Sequence, residues 1–348
     1  MKDTFAKRLV NARKIRCMSQ RELCSKLEGK VSSTAIEKYE KALMMPSSDV
    51  IILLSNVLGF PMDYFFRPIT LTIDANAFEF RKQASLGAKM VESIKCLVVS
   101  EIEKYLEVES ILSIGDLWKL DYSNVLVEDE KDARDMALRL RRDWNIGIDG
   151  VASAIELLES NGVKIIEVEA DKKFSGTCNK AGNIPVIVIN KVMSAERKRM
   201  TIFHELGHLL LHFSEGADEE KLCNVFANEM LIPSCRFVEI IGGSRHDISL
   251  VELHMIQREY GISVDALMYK AAMLNVITQR RYQSYFKKKN AIPQFKQEVE
   301  KSLINDEHTT RFARLVYRAL ASELISASKA ASLLDCSINE VRENLYLL

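Results

Sequence analysis

Two histidines, His204 and His208, lie four residues apart within an apolar stretch of this chain. Residues 199–211 are rich in Leu, Ile, Phe and Met, which predicts a buried helix. Residues four positions apart lie one turn apart, so both imidazoles project from the same helix face and can bind one metal ion. Glu205 is rotated by about 100° from His204, so its carboxylate can reach a metal-bound water without being a ligand. The segment predicts a zinc site with Glu205 as the general base.

Zinc chemistry explains why a glutamate is useful beside the two histidines. Zinc lowers the pKa of a bound water toward about 7 and polarises a scissile carbonyl. The glutamate takes the proton of that water and passes it to the leaving amine. Two histidines on a buried helix can also be core residues, so the metal interpretation requires a third ligand.

We expect the third ligand on the next predicted helix, residues 219–233, whose first turn is acidic. We favour Glu220, and Glu219 is the alternative. Asn224 lies one turn after Glu220, where its amide could orient a metal-bound histidine. Glu229 is nine residues from Glu220, about 180° around the helix, so these two carboxylates cannot serve one site.

Two other residues of metal-binding type lie near this segment. His212 continues the row of His204 and His208, but it lies about 12 Å from His204 along a helix, and zinc–nitrogen bonds are about 2 Å long. Cys223 shares roughly the face of Glu220, and there we expect a small core residue rather than a thiolate ligand.

At these residues the sequence resembles the ImmA/IrrE family of zinc metallopeptidases. The similarity rests on His204-Glu205-Leu206-Gly207-His208 and on Asn224-Val225-Phe226-Ala227-Asn228-Glu229-Met230-Leu231-Ile232-Pro233, and it extends over about residues 130–240. Phe203 and Cys223 depart from the family, which usually has Ala at both positions. The resemblance implies a gluzincin-like fold and a Zn²⁺ or Mn²⁺ ion bound by His204, His208 and a glutamate, with Glu205 as the general base.

The resemblance also implies a protein substrate. Family members cleave helix-turn-helix repressors and so relieve repression, which indicates a role in a stress or phage response. In zincins, a β-strand beside the active helix pairs with the substrate backbone, and residues 185–190 are the expected strand.

Residues 4–66 carry the start and stop signals of five short helices. Ser19 is a good N-cap, and Glu22, three residues later, completes a capping box. Ser32 or Ser33 caps the third helix. Gly59 ends the fourth helix, and a short fifth helix follows.

This segment resembles the Xre or lambda-repressor-like helix-turn-helix. The matching residues are Ser19-Gln20-Arg21-Glu22-Leu23, Val31-Ser32-Ser33, Ile36-Glu37-Lys38-Tyr39-Glu40, Pro46 and Leu58-Gly59. The resemblance implies that the helix beginning at Ser32 lies in the major groove of double-stranded operator DNA. The residues expected at the DNA are Ser32, Ser33, Thr34, Glu37 and Lys38 on that helix, with Gln20, Arg13 and Lys41 at phosphates. Ala42 replaces the Gly that usually follows Glu40. A five-helix domain that binds protein instead of DNA is the alternative.

The whole chain of 348 residues predicts a mainly α fold with a small β-sheet, an α+β class. We expect a long helix over about residues 77–112, strands over 163–168, 174–178 and 185–189, and a charged linker near 287–290. The predicted domains are a helix-turn-helix at 1–68, a helical linker at 69–128, the metallopeptidase-like domain at 129–240 and a C-terminal helical region at 241–348. Residues 325–334 resemble a second helix-turn-helix pair, which we expect to serve packing or homodimerisation.

The composition indicates an ordinary globular protein, with 47% apolar and 28% charged residues. No apolar run approaches the ~20 residues that a membrane span requires, so we expect a cytoplasmic protein without a membrane partner. The leading hypothesis is a DNA-bound regulator whose zinc site cleaves a repressor-type protein or the chain itself. The alternative is a non-catalytic repressor or antitoxin whose zinc domain is structural or sensory. Glu205 favours the first, because a purely structural zinc site has no need of it.

Overall fold

A computed structural model of the protein describes residues 1–68, 87–120, 122 and 125–346. The prediction of a mainly α fold with little β-structure is confirmed. The chain forms two compact units, one made of Met1–Asp116 with Thr310–Leu348 and the other of Leu117–Thr309. The predicted domain boundaries at residues 68, 128 and 240 stay predictions. They separate segments by expected function, whereas the compact units are defined by contacts within the fold.

The elements follow one another in three stretches. The N-terminal stretch contains α1 (Lys2–Ile15), α2 (Gln20–Lys26), α3 (Ser33–Glu40), α4 (Ser48–Leu58), a 3-10 helix (Met62–Phe66) and α5 (Ala88–Ile111). The middle stretch contains β1 (Leu126–Val127), α6 (Glu130–Asp143), α7 (Ala154–Ser160), β2 (Lys164–Val168), β3 (Gly176–Ala181), β4 (Ile184–Asn190), α8 (Ala195–Leu210), β5 (His212–Phe213) and α9 (Glu219–Leu231). The C-terminal stretch contains α10 (Ser234–Ile241), α11 (Leu250–Tyr260), α12 (Val264–Met273), α13 (Gln279–Ala291), α14 (Pro293–Glu300), α15 (Arg311–Ala321), α16 (Ala327–Leu334) and α17 (Ile338–Tyr346).

Three predicted helix signals of the N-terminal stretch are confirmed. The hydroxyl of Ser19 accepts a hydrogen bond from the Glu22 amide, and the Glu22 carboxylate accepts one from the Ser19 amide, so the capping box is confirmed. Ser32 is the N-cap of α3. Gly59 ends α4 with φ 67°, a left-handed conformation that glycine adopts without steric strain.

The long helix of the first unit is α5. Its predicted beginning near residue 77 lies outside the described residues, and the described helix starts at Ala88. Residues of α5 share one hydrophobic cluster with residues of α15, α16 and α17. The buried residues of that cluster are Tyr105, Val108, Leu315, Val316, Ala330, Ala331, Leu333 and Val341. Residues 325–334, where the sequence predicts a helix-turn-helix pair, contain a single helix, α16, and α17 follows it at Ile338.

The sheet of the second unit has the order β2-β4-β3, with β4 parallel to β2 and antiparallel to β3. The prediction that residues 185–190 form the strand that pairs with substrate is therefore wrong, because the backbone of β4 is hydrogen-bonded on both edges. Within the described residues, β3 has a partner strand on one side only, so it offers an edge that a peptide could join.

A second correction concerns the predicted charged linker near residues 287–290. Helix α13 runs through these residues, and Lys289 is buried. Its ammonium group lies 2.5 Å from Asp265 Oδ2 and 3.1 Å from Glu300 Oε1, so two carboxylates compensate the buried charge. No helix in the described ranges is long and apolar enough to cross a lipid bilayer.

Candidate functional site

Helix α8 positions the two histidines and packs closely on α9. The helix starts at the N-cap Ser194 and buries Ile202, Phe203 and Leu206. A Cβ atom on Gly207 would lie 3.1 Å from Cys223 Sγ and 3.3 Å from Phe226 Cδ1. Such distances are crowded for carbon, so the glycine lets α8 and α9 approach each other. This close approach brings a side chain of α9 to the histidines of α8.

His204, His208 and Glu220 meet at one point, where their potential ligand atoms all lie within 4.8 Å of one another. The two histidine Nε2 atoms are 3.2 Å apart, and Glu220 oxygens lie 3.4 Å from Nε2 of His204 and 3.8 Å from Nε2 of His208. Two bonds of about 2.0–2.1 Å at a tetrahedral angle separate the ligand atoms by roughly 3.3 Å. The spacing and the nitrogen–oxygen ligand set therefore fit a zinc ion.

The surroundings of His204 favour the form of imidazole that binds metal. Its Nδ1 atom lies 3.0 Å from Oδ1 of Asn224, where an Nδ1–H can donate a hydrogen bond. With the proton on Nδ1, the Nε2 atom has a free electron pair directed toward Glu220. Burial lowers the pKa of His204, although Glu220 and Asn224 oppose the shift. A proton on Nδ1 and a lowered pKa of the ring both favour an Nε2 atom that is available to a metal ion.

Glu205 follows His204 on α8 and lies beside Gly176 and Cys178 of the edge strand β3. Burial raises the pKa of Glu205 to about 7, while a hydrogen bond from the Cys178 thiol lowers it and the charge of Glu220 raises it further. A Cβ on Gly176 would lie 2.6 Å from Thr201 Cγ2 and 3.6 Å from Glu205 Cγ, so this glycine lets β3 approach α8. A carboxyl group with a pKa near neutrality is suited to accept and release a proton.

The other candidate ligands lie elsewhere. The Glu229 carboxylate bonds Lys270 Nζ at 2.8 Å and the amide of Ser234 at 2.6 Å, in the buried interior. Cys223 is fully buried against Gly207, and burial raises the pKa of its thiol, so it stays protonated. His212 is exposed in β5, and the cluster contains Glu220 but not Glu219.

The candidate DNA-binding face lies on α3. Four of the side chains predicted for base edges are exposed there: Ser33, Thr34, Glu37 and Lys38. The hydroxyl of Ser32 accepts a hydrogen bond from the amide of Ala35 and so caps the helix.

Arg13 and Gln20, predicted at phosphates, both hold the same carboxylate. Arg13 donates to the two oxygens of Glu40 at 2.6 and 2.9 Å, and Gln20 donates to one of them at 2.7 Å. Glu40 is the last residue of α3, so these bonds fix α3 against α1 and α2. Lys41, at the end of α3, lies 2.6 Å from Glu37.

Sequence reasoning missed three residues of these sites, Gly176, Cys178 and Glu40. Gly176 and Cys178 come to Glu205 through the pairing of β3 with β4, which no local pattern reveals. Glu40 belongs to the quoted helix-turn-helix match, but its role as an acceptor for two side chains depends on the packing of three helices.

Two family models match the chain. A model described as an IrrE N-terminal-like domain matches residues 158–272, and a model described as a helix-turn-helix matches residues 11–65. The first match includes the three candidate ligands and Glu205, and the second includes α2, α3 and α4. No curated protein matches the chain.

Proposed function

We propose that this chain, which joins an Xre-type helix-turn-helix to an ImmA/IrrE-type domain, is a DNA-binding transcriptional regulator whose metal centre cleaves a protein. The observation that carries the proposal is the convergence of His204, His208 and Glu220, with the carboxylate of Glu205 beside them. The protein substrate is a helix-turn-helix repressor or the chain itself.

The residues fit a metal ion, and each has a definite task. His204, His208 and Glu220 would hold Zn²⁺, or Mn²⁺, which supplies a Lewis acid for hydrolysis of a peptide bond. Asn224 keeps the His204 ring in the orientation and tautomer that a ligand needs. Glu205 takes a proton from the attacking water and delivers it to the leaving amine, and its pKa of about 7 suits both transfers.

The substrate would bind as an extra strand on the edge of β3 that has no partner strand among the described residues. An extended peptide obtains main-chain hydrogen bonds from such an edge, whatever its side chains. Gly176 and Cys178 lie on β3 next to Glu205, so a peptide along this edge passes the metal centre. We therefore assign substrate pairing to β3 and not to β4, because β4 already pairs with β2 on one edge and with β3 on the other.

The DNA half of the proposal rests on α3. Ser33, Thr34, Glu37 and Lys38 would meet base edges in the major groove, and Lys41 would lie near phosphates. Arg13 and Gln20 would set the angle of α3 through Glu40. Operators of such proteins are commonly palindromic, so we propose a homodimer on DNA.

The test compares the wild-type protein with Glu205→Gln, both loaded with zinc. Each is incubated alone and with candidate helix-turn-helix repressors, and fragments are identified by mass spectrometry. We expect fragments with the wild type and none with Glu205→Gln, although both variants bind zinc and shift promoter DNA. A zinc-loaded wild type that shifts DNA but cuts neither itself nor any repressor would contradict the peptidase half and leave a non-catalytic repressor or antitoxin.

A further inference from the structure

A segment without regular structure joins α14 to α15 and lies beyond the IrrE N-terminal-like match. We call residues 301–309 the strap. Its Glu307 is 4% exposed, and its carboxylate accepts four hydrogen bonds. The donors are Ser153 Oγ at 2.8 Å, the amides of Ala154 and Ile155 at 3.0 and 3.2 Å, and Arg199 Nη1 at 2.6 Å. One buried carboxylate thus caps the N-terminus of α7 and neutralises a cation on α8.

Arg199, the partner of Glu307 on α8, lies five residues before His204. Its guanidinium also donates to the backbone oxygens of Val151, Ala152 and Tyr260. A Cβ on Gly261 would lie 2.4 Å from Arg199 Nε, so this left-handed glycine leaves room for the side chain. Arg199 therefore binds the loop before α7, the end of α11 and the strap at once.

The residue before Arg199 makes a second connection to the strap. Lys198 has a fully buried side chain, and its Nζ lies 2.8 Å from the backbone oxygen of Glu307 and 3.1 Å from Asp306 Oδ1. It also lies 3.2 Å from Glu167 Oε1 on β2. Two consecutive cations of α8 therefore bind two consecutive residues of the strap, and this arrangement allows α8 little rotation or sliding.

We propose that Glu307 is a positioning residue of the metal centre. The proposal rests on the proposed function, because it concerns the same three ligands. His204 and His208 are on α8 and Glu220 is on α9, so the geometry of the ligands depends on how α8 is seated. Metal affinity falls when ligands are displaced by fractions of an ångström. A buried ion pair stabilises a fold little compared with apolar residues of the same volume. It does define one orientation of its two partners, here Glu307 and Arg199. The histidines on α8 require such a fixed orientation of their helix.

The test uses Glu307→Gln and Glu307→Ala in the full chain. Zinc affinity is measured by competition with a chelator, and the absorption spectrum of the Co²⁺ form reports ligand geometry. We expect Glu307→Ala to weaken zinc binding by about tenfold, the lower end for residues that support metal ligands. Glu307→Gln keeps an oxygen for the amides of α7 but loses the charge, so we expect a smaller loss and a shifted Co²⁺ spectrum.

The control is Val276→Ala, a buried site outside the metal helices and the strap. It lowers stability without touching Glu307, so its zinc affinity and Co²⁺ spectrum should equal those of the wild type. If Glu307→Ala does not fold, Glu307→Gln carries the test. Wild-type zinc affinity and Co²⁺ spectrum in a folded Glu307 variant would overturn the positioning role and leave the metal centre intact. A wild type that binds no zinc would overturn the metal centre itself, and this proposal with it.

Discussion

Oδ1 of Asn224 lies 3.0 Å from Nδ1 of His204, across the interface of α8 and α9. With its proton on Nδ1, the imidazole can donate to this oxygen and direct Nε2 toward Glu220. Removal of such a partner typically weakens metal binding by about tenfold to a hundredfold. We therefore expect Asn224→Ala to lower zinc affinity within that range, as measured by chelator competition. Asn161→Ala, which removes a side chain at the end of α7, should leave zinc affinity unchanged.

Metal content distinguishes a histidine proposed to bind the metal, His204, from one outside the site, His212. We expect one zinc ion per chain in the wild type by elemental analysis and none in His204→Ala, because two remaining ligands do not hold zinc tightly. His212→Ala provides the matched control, since His212 is exposed and outside the cluster. Equal metal loss in both histidine variants would contradict the assignment of the ligands.

The candidate ligands illustrate what a local pattern can predict. His204, His208 and Glu205 are placed by helix periodicity alone, and Glu220 follows from the acidic first turn of the next helix. The packing of α8 on α9 then brings His204, His208 and Glu220 together. The capping box of Ser19 and Glu22 is equally local, because every group in it lies within one turn.

Pairings between distant segments lie beyond such patterns. The sequence of β4 predicts a buried strand but does not show which strands flank it, so pairing with substrate was expected at β4, the central strand of the sheet. Lys289 lies in a run of basic residues that predicts a solvated linker. Its ammonium group instead donates a partly buried hydrogen bond to Asp265, 24 residues earlier. Glu307 bonds to Arg199, which lies 108 residues earlier in the sequence. The residues around either of them do not indicate this pairing.

Lys38 tests the assignment of α3 as the helix that reads DNA. We expect Lys38→Ala to weaken binding to a DNA site, selected by the wild type from random sequences, by roughly fivefold or more, about 1 kcal/mol. If Lys38 contacts a phosphate instead, the slope of log affinity against log salt should fall by about 1. Lys7→Ala on α1 removes an equal charge from another exposed position. If both substitutions weakened binding equally, general charge and not α3 would explain the affinity.

Ala42 occupies the left-handed conformation, with φ 57°, directly after α3 and Lys41. For an alanine this backbone costs roughly 1 kcal/mol, whereas glycine adopts it freely. Glycine also makes the unfolded chain more flexible, which offsets part of the gain. We therefore expect Ala42→Gly to raise the free energy of unfolding by about 0.5 kcal/mol in urea titrations. The same exchange inside α3, Ala35→Gly, should lower it by about 1 kcal/mol.

Glu252 gives the second unit a stability that depends on pH. Its carboxylate accepts hydrogen bonds from Arg245, Ser249 Oγ and the Ser249 amide, and these lower its pKa from 4.5 to about 2. Because the folded pKa is the lower one, the unfolded chain takes up the proton first as the pH falls. The stabilisation is therefore complete above pH 4.5 and is lost between 4.5 and about 2.

Glu252→Gln removes the titrating group, so the difference in urea midpoint between it and the wild type reports this stabilisation directly. We expect the wild type to be the more stable of the two near neutral pH, with a difference that stays constant until the pH reaches about 4.5 and then shrinks toward pH 2. The variant keeps the capping oxygen for the Ser249 amide, so the pH-dependent part belongs to the charge and not to the cap. A difference that does not change across this range would mean that Arg245 does not hold the carboxylate in solution.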